Sequence, residues 1–151
     1  MIPGHTNMLT LLASEPGTVR GQCAEYCGGA HALMALSVTA VLPPSYERWL
    51  AGQAEPAHAE ETTGQRAFLS AGCGGCHTIR GSSARGRVGP DLTHLASRPS
   101  LGAGTLENDA EGLARWLDDH HQVKPDNLMP DYDFLPASEQ AEIVTYLSEL
   151  E

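Results

Sequence analysis

The sequence predicts a two-part chain: a truncated all-β fragment over residues 1–50, then an all-α domain over residues 63–151. Three observations carry this reading. Apolar Met34, Leu36, Val38 and Ala40 alternate with Ala35, Ser37, Thr39 and Val41 at a period of two. After residue 64 the apolar residues repeat at helical spacing instead. Between the two patterns, residues 51–62 are polar, rich in Ala and Glu and broken by Pro56, the composition of a linker. At 151 residues, length alone would allow one domain or two, so the patterns decide.

In the first part, Met8 to Leu12 and Thr18 to Gln22 read as strands on either side of the turn Ser14-Glu15-Pro16-Gly17. With the run from Met34 they would form antiparallel closing strands of a sandwich, which normally needs a second set of strands over its apolar face. In the second part, Gln65 to Ala71 reads as a short helix that Gly72 can end, and Gly64 would admit a crossing helix at close range. Leu113, Trp116 and Leu117 make another stripe, with Asp109 or Asn108 as its N-cap. In the last helix Pro136 suits the first helical position and Glu139 favours the dipole of the first turn. Its face of Ile143, Tyr146, Leu147 and Leu150 is expected to pack on the first helix.

Cys73-Gly74-Gly75-Cys76-His77 has the spacing of a c-type haem attachment site. Two thiols three positions apart can each add to a vinyl group of one porphyrin, and the adjacent His77 then lies beneath the iron as proximal ligand. A bare C-x-x-C could instead be a redox pair or half a zinc site, but no second ligand pair and no thioredoxin-like strand stands near Cys73. Met129 is the candidate sixth ligand, a soft thioether in Lys124-Pro125-Asp126-Asn127-Leu128-Met129-Pro130. Flanking prolines there exclude a helix and favour an extended loop. His120 and His121 are the competing axial ligands, and each is expected to be a solvated residue near a helix end.

A second set of soft donors lies in Cys23-Ala24-Glu25-Tyr26-Cys27-Gly28-Gly29-Ala30-His31-Ala32-Leu33-Met34. Two thiolates can bridge two copper ions, and sulfur with imidazole suits a copper pair that shares one electron with little rearrangement. The competing readings are a Cys23–Cys27 disulfide, small buried hydrophobes, or a zinc site shared with Cys73 and Cys76.

From Gly64 onward the chain resembles class I cytochrome c. Gly64, Phe68, Gly72 and Cys73 fit the lead-in G-x-x-x-F-x-x-x-G-C, and Gly89-Pro90-Asp91-Leu92 matches the segment G-P-x-L. The resemblance implies that the Pro90 carbonyl accepts the proton on the far nitrogen of His77, orienting the ligand and strengthening it as a donor. Arg98 and Trp116 fall where similar domains contact haem propionates, or are simply surface and core residues. Asp126 departs from the Gly that usually follows Lys-Pro. The front segment resembles the dinuclear copper centre (CuA) loop of cytochrome c oxidase subunit II, through C-x-E-x-C-x-x-x-H-x-x-M, Gly21-Gln22, Ile2-Pro3-Gly4 and Trp49. This implies a cupredoxin-like Greek-key fold, bridging ligands Cys23 and Cys27, terminal ligands His31 and Met34, and the backbone carbonyl of Glu25. In that family the other terminal His precedes I-P-G, so CuA is expected to be incomplete here, with His5 a surface residue. The chain is then expected to be the C-terminal part of a longer subunit II, whose family begins with two membrane helices.

A net charge of -10 argues against nucleic acid, which needs a basic surface. Residues 73–98 nevertheless carry Arg80, Arg85, Arg87 and Arg98 against Asp91 alone, an asymmetry that could orient an electron-transfer partner. No run of about eighteen apolar residues and no signal-like start occurs. With all four cysteines given ligand duties, no structural disulfide is expected.

A copper loop followed by a fused cytochrome c domain resembles subunit II of caa-type oxidases. The resemblance implies that covalent haem c receives electrons from a respiratory donor, such as a cytochrome bc complex or a soluble cytochrome c. They would pass to the copper pair and on to oxidase subunit I, with no turnover site on this chain alone. It also implies the bacterial cell membrane, with the domain on the periplasmic or extracellular side. The alternatives are a free-standing cytochrome c with a copper-domain remnant, and a copper-binding or copper-delivery protein using the front loop as a single-ion site.

Overall fold

The computed structural model describes residues 5–57 and 61–151. The Ile2-Pro3-Gly4 motif and residues 58–60 of the expected linker lie outside the described residues. Strands β1 (Gly17–Gln22) and β2 (Ala35–Ala40) pair antiparallel in a register running from Gly17 opposite Ala40 to Gln22 opposite Ala35. The Thr18 and Thr39 hydroxyls bond across them at 3.1 Å. Beyond β1 the Cys23 amide donates to the Met34 carbonyl at 2.9 Å, closing the loop between the strands.

The strand expected at Met8 to Leu12 does not form. Those residues are irregular, with Met8, Leu9, Leu11 and Leu12 exposed. A strand persists only where a neighbour completes its ladder, and β1 pairs with β2 alone. Among the described residues the front sheet therefore has two strands, and the Greek-key arrangement is not seen.

Helix α1 (Pro43–Ala54) was not anticipated, and it takes up both the end of the expected β fragment and the first residues of the expected linker. Its physical cause is readable: Pro at the first helical positions needs no amide partner, and the run that follows is made largely of residues that tolerate helix.

Helix α2 (Thr63–Ser70) begins where the Thr62 hydroxyl accepts from the Gln65 amide at 3.1 Å, and Gly72 at φ 83° ends the segment. Helix α4 (Ala137–Ser148) crosses α2 at Gly64. A Cβ there would stand 2.7 Å from Tyr146 Cβ and run into the Glu142 carbonyl, so the crossing needs glycine. Phe68 and Tyr146 meet edge-on, with centroids 5.8 Å apart at 60°. Pro136 caps α4 rather than serving as its first helical residue. Buried Leu150 lies just past the helix, and its carbonyl accepts from the Ala96 amide at 2.9 Å.

Helix α3 (Ala110–Val123) is capped by Asp109, whose carboxylate accepts from the Gly112 amide at 2.7 Å. It is broken at Asp119 (φ −149°, ψ 49°). Before it, β3 (Ser100–Leu101) and β4 (Leu106–Glu107) form a small hairpin. Phe68, Ile79, Leu95, Leu113, Leu117, Ile143, Tyr146 and Leu147 are among the residues of one core between α2, α3 and α4. Within residues 5–57 only Ala30 and Ala35 are buried. The hairpin covers Ala35, whose amide donates to the Ala103 carbonyl at 2.9 Å. No described helix is long and apolar enough to cross a membrane.

Candidate metal centres

The C-x-x-C-H run enters a single tight turn, with the Cys76 and His77 amides donating to the Cys73 carbonyl at 3.1 and 2.9 Å. Cys73 is buried, while Cys76 and His77 are half-buried. Burial pushes the Cys73 thiol up; burial, then neighbouring Cys73, raises the Tyr132 phenol as well. His77 Nδ1 lies 2.8 Å from the Pro90 carbonyl, the contact expected of the G-P-x-L segment. That bond orients the ring and leaves Nε2 as its remaining donor atom. A Cβ at Gly89 would stand 2.7 Å from Nδ1, so glycine lets this backbone lie against the imidazole.

The Met129 loop leaves α3 at Lys124 and is held by two side chains. Asn127 Nδ2 donates to the carbonyls of Lys124 (2.7 Å) and His120 (3.1 Å), while its Oδ1 accepts from the Met129 amide at 3.1 Å. His120 Nε2 lies 2.9 Å from the Met129 carbonyl. His120 was expected to be solvated, and it is 1 % exposed. Seven positions after Leu113, it continues the apolar stripe inward. Its Nδ1 faces the Trp116 carbonyl at 3.2 Å, so neither ring nitrogen points to an open position. His121 does lie at the surface, 3.4 Å from Asp131.

Met129 itself packs, half-buried, against the core. Val88, Leu128 and Phe134 are the exposed large apolar residues of this half, and they stand on the segments that carry Pro90 and Met129. An anchored imidazole, a thioether on a braced loop and apolar residues beside both fit a planar, largely apolar macrocycle. Trp116 is half-buried, its ring 5.8 Å from that of His120. The Arg98 guanidinium donates to the Asp91 carbonyl. Burial, the largest influence on the Asp91 side chain, pushes it up, but the Thr93 hydroxyl and amide with Arg80 and Arg98 outweigh it and hold the carboxyl below its ordinary range.

In the front loop the donors converge. Cys23 Sγ and Cys27 Sγ are 3.5 Å apart, and Cys27 Sγ is 3.7 Å from His31 Nδ1 and 3.6 Å from Met34 Sδ. The Glu25 carbonyl faces the same cluster, 3.2 Å from Cys23 Sγ. All four cysteines are free thiols. The hydrogen bond with Cys23, then burial and the charge of Cys23, push the Cys27 thiol up; a cation between the two sulfurs would favour both thiolates instead. The donor set thus fits a soft metal ion or a pair of them.

Residues 61–151 match the family model described as Cytochrome c. The chain belongs to the cytochrome c family. Residues 1–41 match the model described as Cytochrome C oxidase subunit II, periplasmic domain, so one polypeptide joins a subunit II segment to a cytochrome c domain. Three similar proteins are each described as cytochrome c oxidase subunit 2. That of Alkalihalophilus pseudofirmus is 35% identical over 99% of this chain and 44% of its own length. That of Bacillus sp. strain PS3 is 32% identical over 75% of this chain and 33% of its own length, and that of Bacillus subtilis 30% over 86% and 38%. The chain thus spans less than half of each relative.

The structural roles of two residues of this cytochrome c domain, His120 and Asp126, were not read from the sequence. His120 could have been found from its helical register with Leu113 and Leu117. Asp126, at φ 62°, takes the left-handed conformation that the usual glycine would supply. Its carboxylate accepts from the Gly29 amide at 2.8 Å, across 97 residues of sequence. No local pattern signals such a contact.

Proposed function

We propose that this chain is the electron-accepting arm of a cytochrome c oxidase, carrying covalent haem c and the Cys23–Met34 ligands of a dinuclear copper centre. The observation that carries the proposal is the convergence of Cys23, Cys27, His31, Met34 and the Glu25 carbonyl beside a cytochrome c domain in the same polypeptide. Cys73 and Cys76 would tether the porphyrin, and His77 and Met129 would hold its iron. The haem and the copper pair would supply one-electron redox chemistry at little structural cost.

The remaining work falls to the chain. Pro90 fixes the His77 ring and makes it a stronger donor, while Asn127 and His120 brace the Met129 loop from both sides of its backbone. Cys23, Cys27, His31 and Met34, with the Glu25 carbonyl, would hold the copper ions, and such soft sulfur and imidazole donors suit one-electron exchange. Oxidase subunit I is the partner this reading assigns for onward transfer, and a respiratory cytochrome the source. The site belongs outside the plasma membrane, on the periplasmic or extracellular face.

The test uses the assembled oxidase from a host that attaches c-type haem. Mass spectrometry should find one covalent haem on this chain, lost when Cys73 and Cys76 are both replaced by Ala, and metal analysis should find copper that Cys23→Ser removes. Rapid reduction of the haem should be followed by its reoxidation only while copper is present. A chain without covalent haem would sink the proposal; haem without copper would favour a free-standing cytochrome, and copper without haem-linked transfer a copper carrier.

A further inference from the structure

Among the described residues, five hydrogen bonds join the front segment to the cytochrome c domain: two tie Gln53 and Ala57, at and just past the end of α1, to Arg80, at 2.7 and 3.0 Å, and three lie along one side of the copper loop. The Ala35 amide donates to the Ala103 carbonyl at 2.9 Å and the Thr105 hydroxyl to the Leu33 carbonyl at 3.2 Å. Both of these use the β3–β4 turn. The third, from the Gly29 amide to Asp126 Oδ2 at 2.8 Å, joins the two candidate ligand loops directly. Gly29 lies midway between Cys27 and His31, and Asp126 lies three residues before Met129.

Both partners are specialised for the contact. Asp126 is one of two non-glycine residues at positive φ among the described residues, a conformation that costs most side chains free energy and that a short Asp tolerates. Glycine would meet the backbone's need without that cost, so what the position gains from Asp is its carboxylate. Opposite it, a Cβ on Gly29 would collide with that same carboxylate, so only glycine brings its amide this close. The acceptor is charged, which makes the bond stronger than one between neutral groups. From Asp126 the chain runs through Asn127, whose side chain holds the Met129 amide. From Gly29 it runs through Gly28 to Cys27, so one hydrogen bond and the Asp126 side chain link the two backbones.

We propose that Asp126 is a positioning residue that docks the loop carrying the iron's sulfur ligand onto the copper loop and so fixes the separation of the two centres. The inference rests on the functional reading above for the identity of those centres, but the docking itself is a property of this chain's own residues.

The full chain with its haem attached is the material for the test, compared with Asp126→Gly and Asp126→Asn. Glycine keeps the left-handed backbone and removes the acceptor; Asn keeps an acceptor oxygen. Two readouts are taken by NMR: amide hydrogen exchange, and the ferric-minus-ferrous shift differences that a paramagnetic iron imposes on nearby amides. In Asp126→Gly, exchange at Gly29 and at the distant Ala35 should both quicken by about tenfold, the factor one charge-assisted bond supplies, and the iron-induced shifts from Gly28 to Ala35 should shrink. Asp126→Asn, which keeps an acceptor oxygen but not its charge, should fall between the parent and Asp126→Gly. Faster exchange at Gly29 alone, with Ala35 and the shifts unmoved, would overturn the proposal by making the bond a local one; so would no change at all. A chain that takes up no haem would lack iron-induced shifts even at Asn127, which defeats the functional reading, while the exchange rates would still decide the docking.

Discussion

The cytochrome c domain and the front segment achieve order by different means. In the domain, Phe68, Ile79, Ile143, Tyr146 and Leu150 are almost fully enclosed, and the metal-site residues hang from that core. In the front segment Val19, Leu36 and Val38 face solvent, yet the donor cluster is the more tightly gathered of the two. Donor geometry there is set by the short chain between Cys23 and Met34 and by the ladder bond that closes it. Packing thus decides stability, whereas spacing within one loop suffices to decide ligand geometry. A segment that buries so little must draw its stability from what it touches: the domain through Ala35, Leu33 and Gly29, and metal wherever metal is bound.

Core truncation should break the comparison most sharply. Phe68→Ala removes an enclosed ring from the α2–α4 contact and should cost about 3–5 kcal/mol, whereas Val38→Ala on the open sheet should cost less than about 0.5 kcal/mol. Denaturant titration followed by circular dichroism measures both; similar losses would mean that the front sheet has a covered face after all.

A smaller loss is expected from His120→Ala. It leaves the Met129 carbonyl without its partner and should cost about 1–3 kcal/mol. On the proposed ligation of haem iron by Met129, loss of a bond that braces the Met129 backbone should also weaken the sulfur-to-iron absorption band of the ferric protein. If stability falls and the band stays intact, His120 belongs to the core and not to the ligand scaffold.

His120 also shows what sequence could and could not reveal. Motif chemistry was readable wherever one short segment holds all its parts. C-x-x-C-H put Cys73, Cys76 and His77 in one short segment, the resemblance to class I cytochrome c implied the Pro90 contact with His77, and the resemblance to the copper loop implied five donors that do converge. Helix stripes placed α2, α3 and α4 and their crossing at Gly64. His120 was misread because its residue type outweighed its position, although the register with Leu113 put it on the buried face. The strand at Met8 to Leu12 failed for lack of a partner to complete its ladder, which no local pattern reports. Helix α1 went unread although Pro43 and Pro44 suit the first helical positions. The Asp126–Gly29 bond lies beyond any local reading.

The weakest effect concerns acid, and it should separate the two regions again. Asp91 is held below its ordinary range by the Thr93 hydroxyl and amide with Arg80 and Arg98, which together outweigh burial, the largest single influence and one that acts in the opposite direction. A carboxyl depressed in the folded state stabilises the fold above its unfolded value of about 3.9, and that contribution is lost as pH falls through the lower folded value. Solvent reaches Asp91, so screening keeps the contribution below about 1 kcal/mol. It bonds with Thr93 and Arg98 and feels the charge of Arg80, all within the cytochrome c domain. Lowering the pH below about 4 should therefore loosen the segment from Arg80 to Arg98 before the β1–β2 ladder responds. Hydrogen exchange at the Thr93 amide, compared with amides of β2, measures the order of events, and Asp91→Asn should flatten the acid response at Thr93 alone. An equal change in both regions would place the acid sensitivity in some other group and leave Asp91 a spectator.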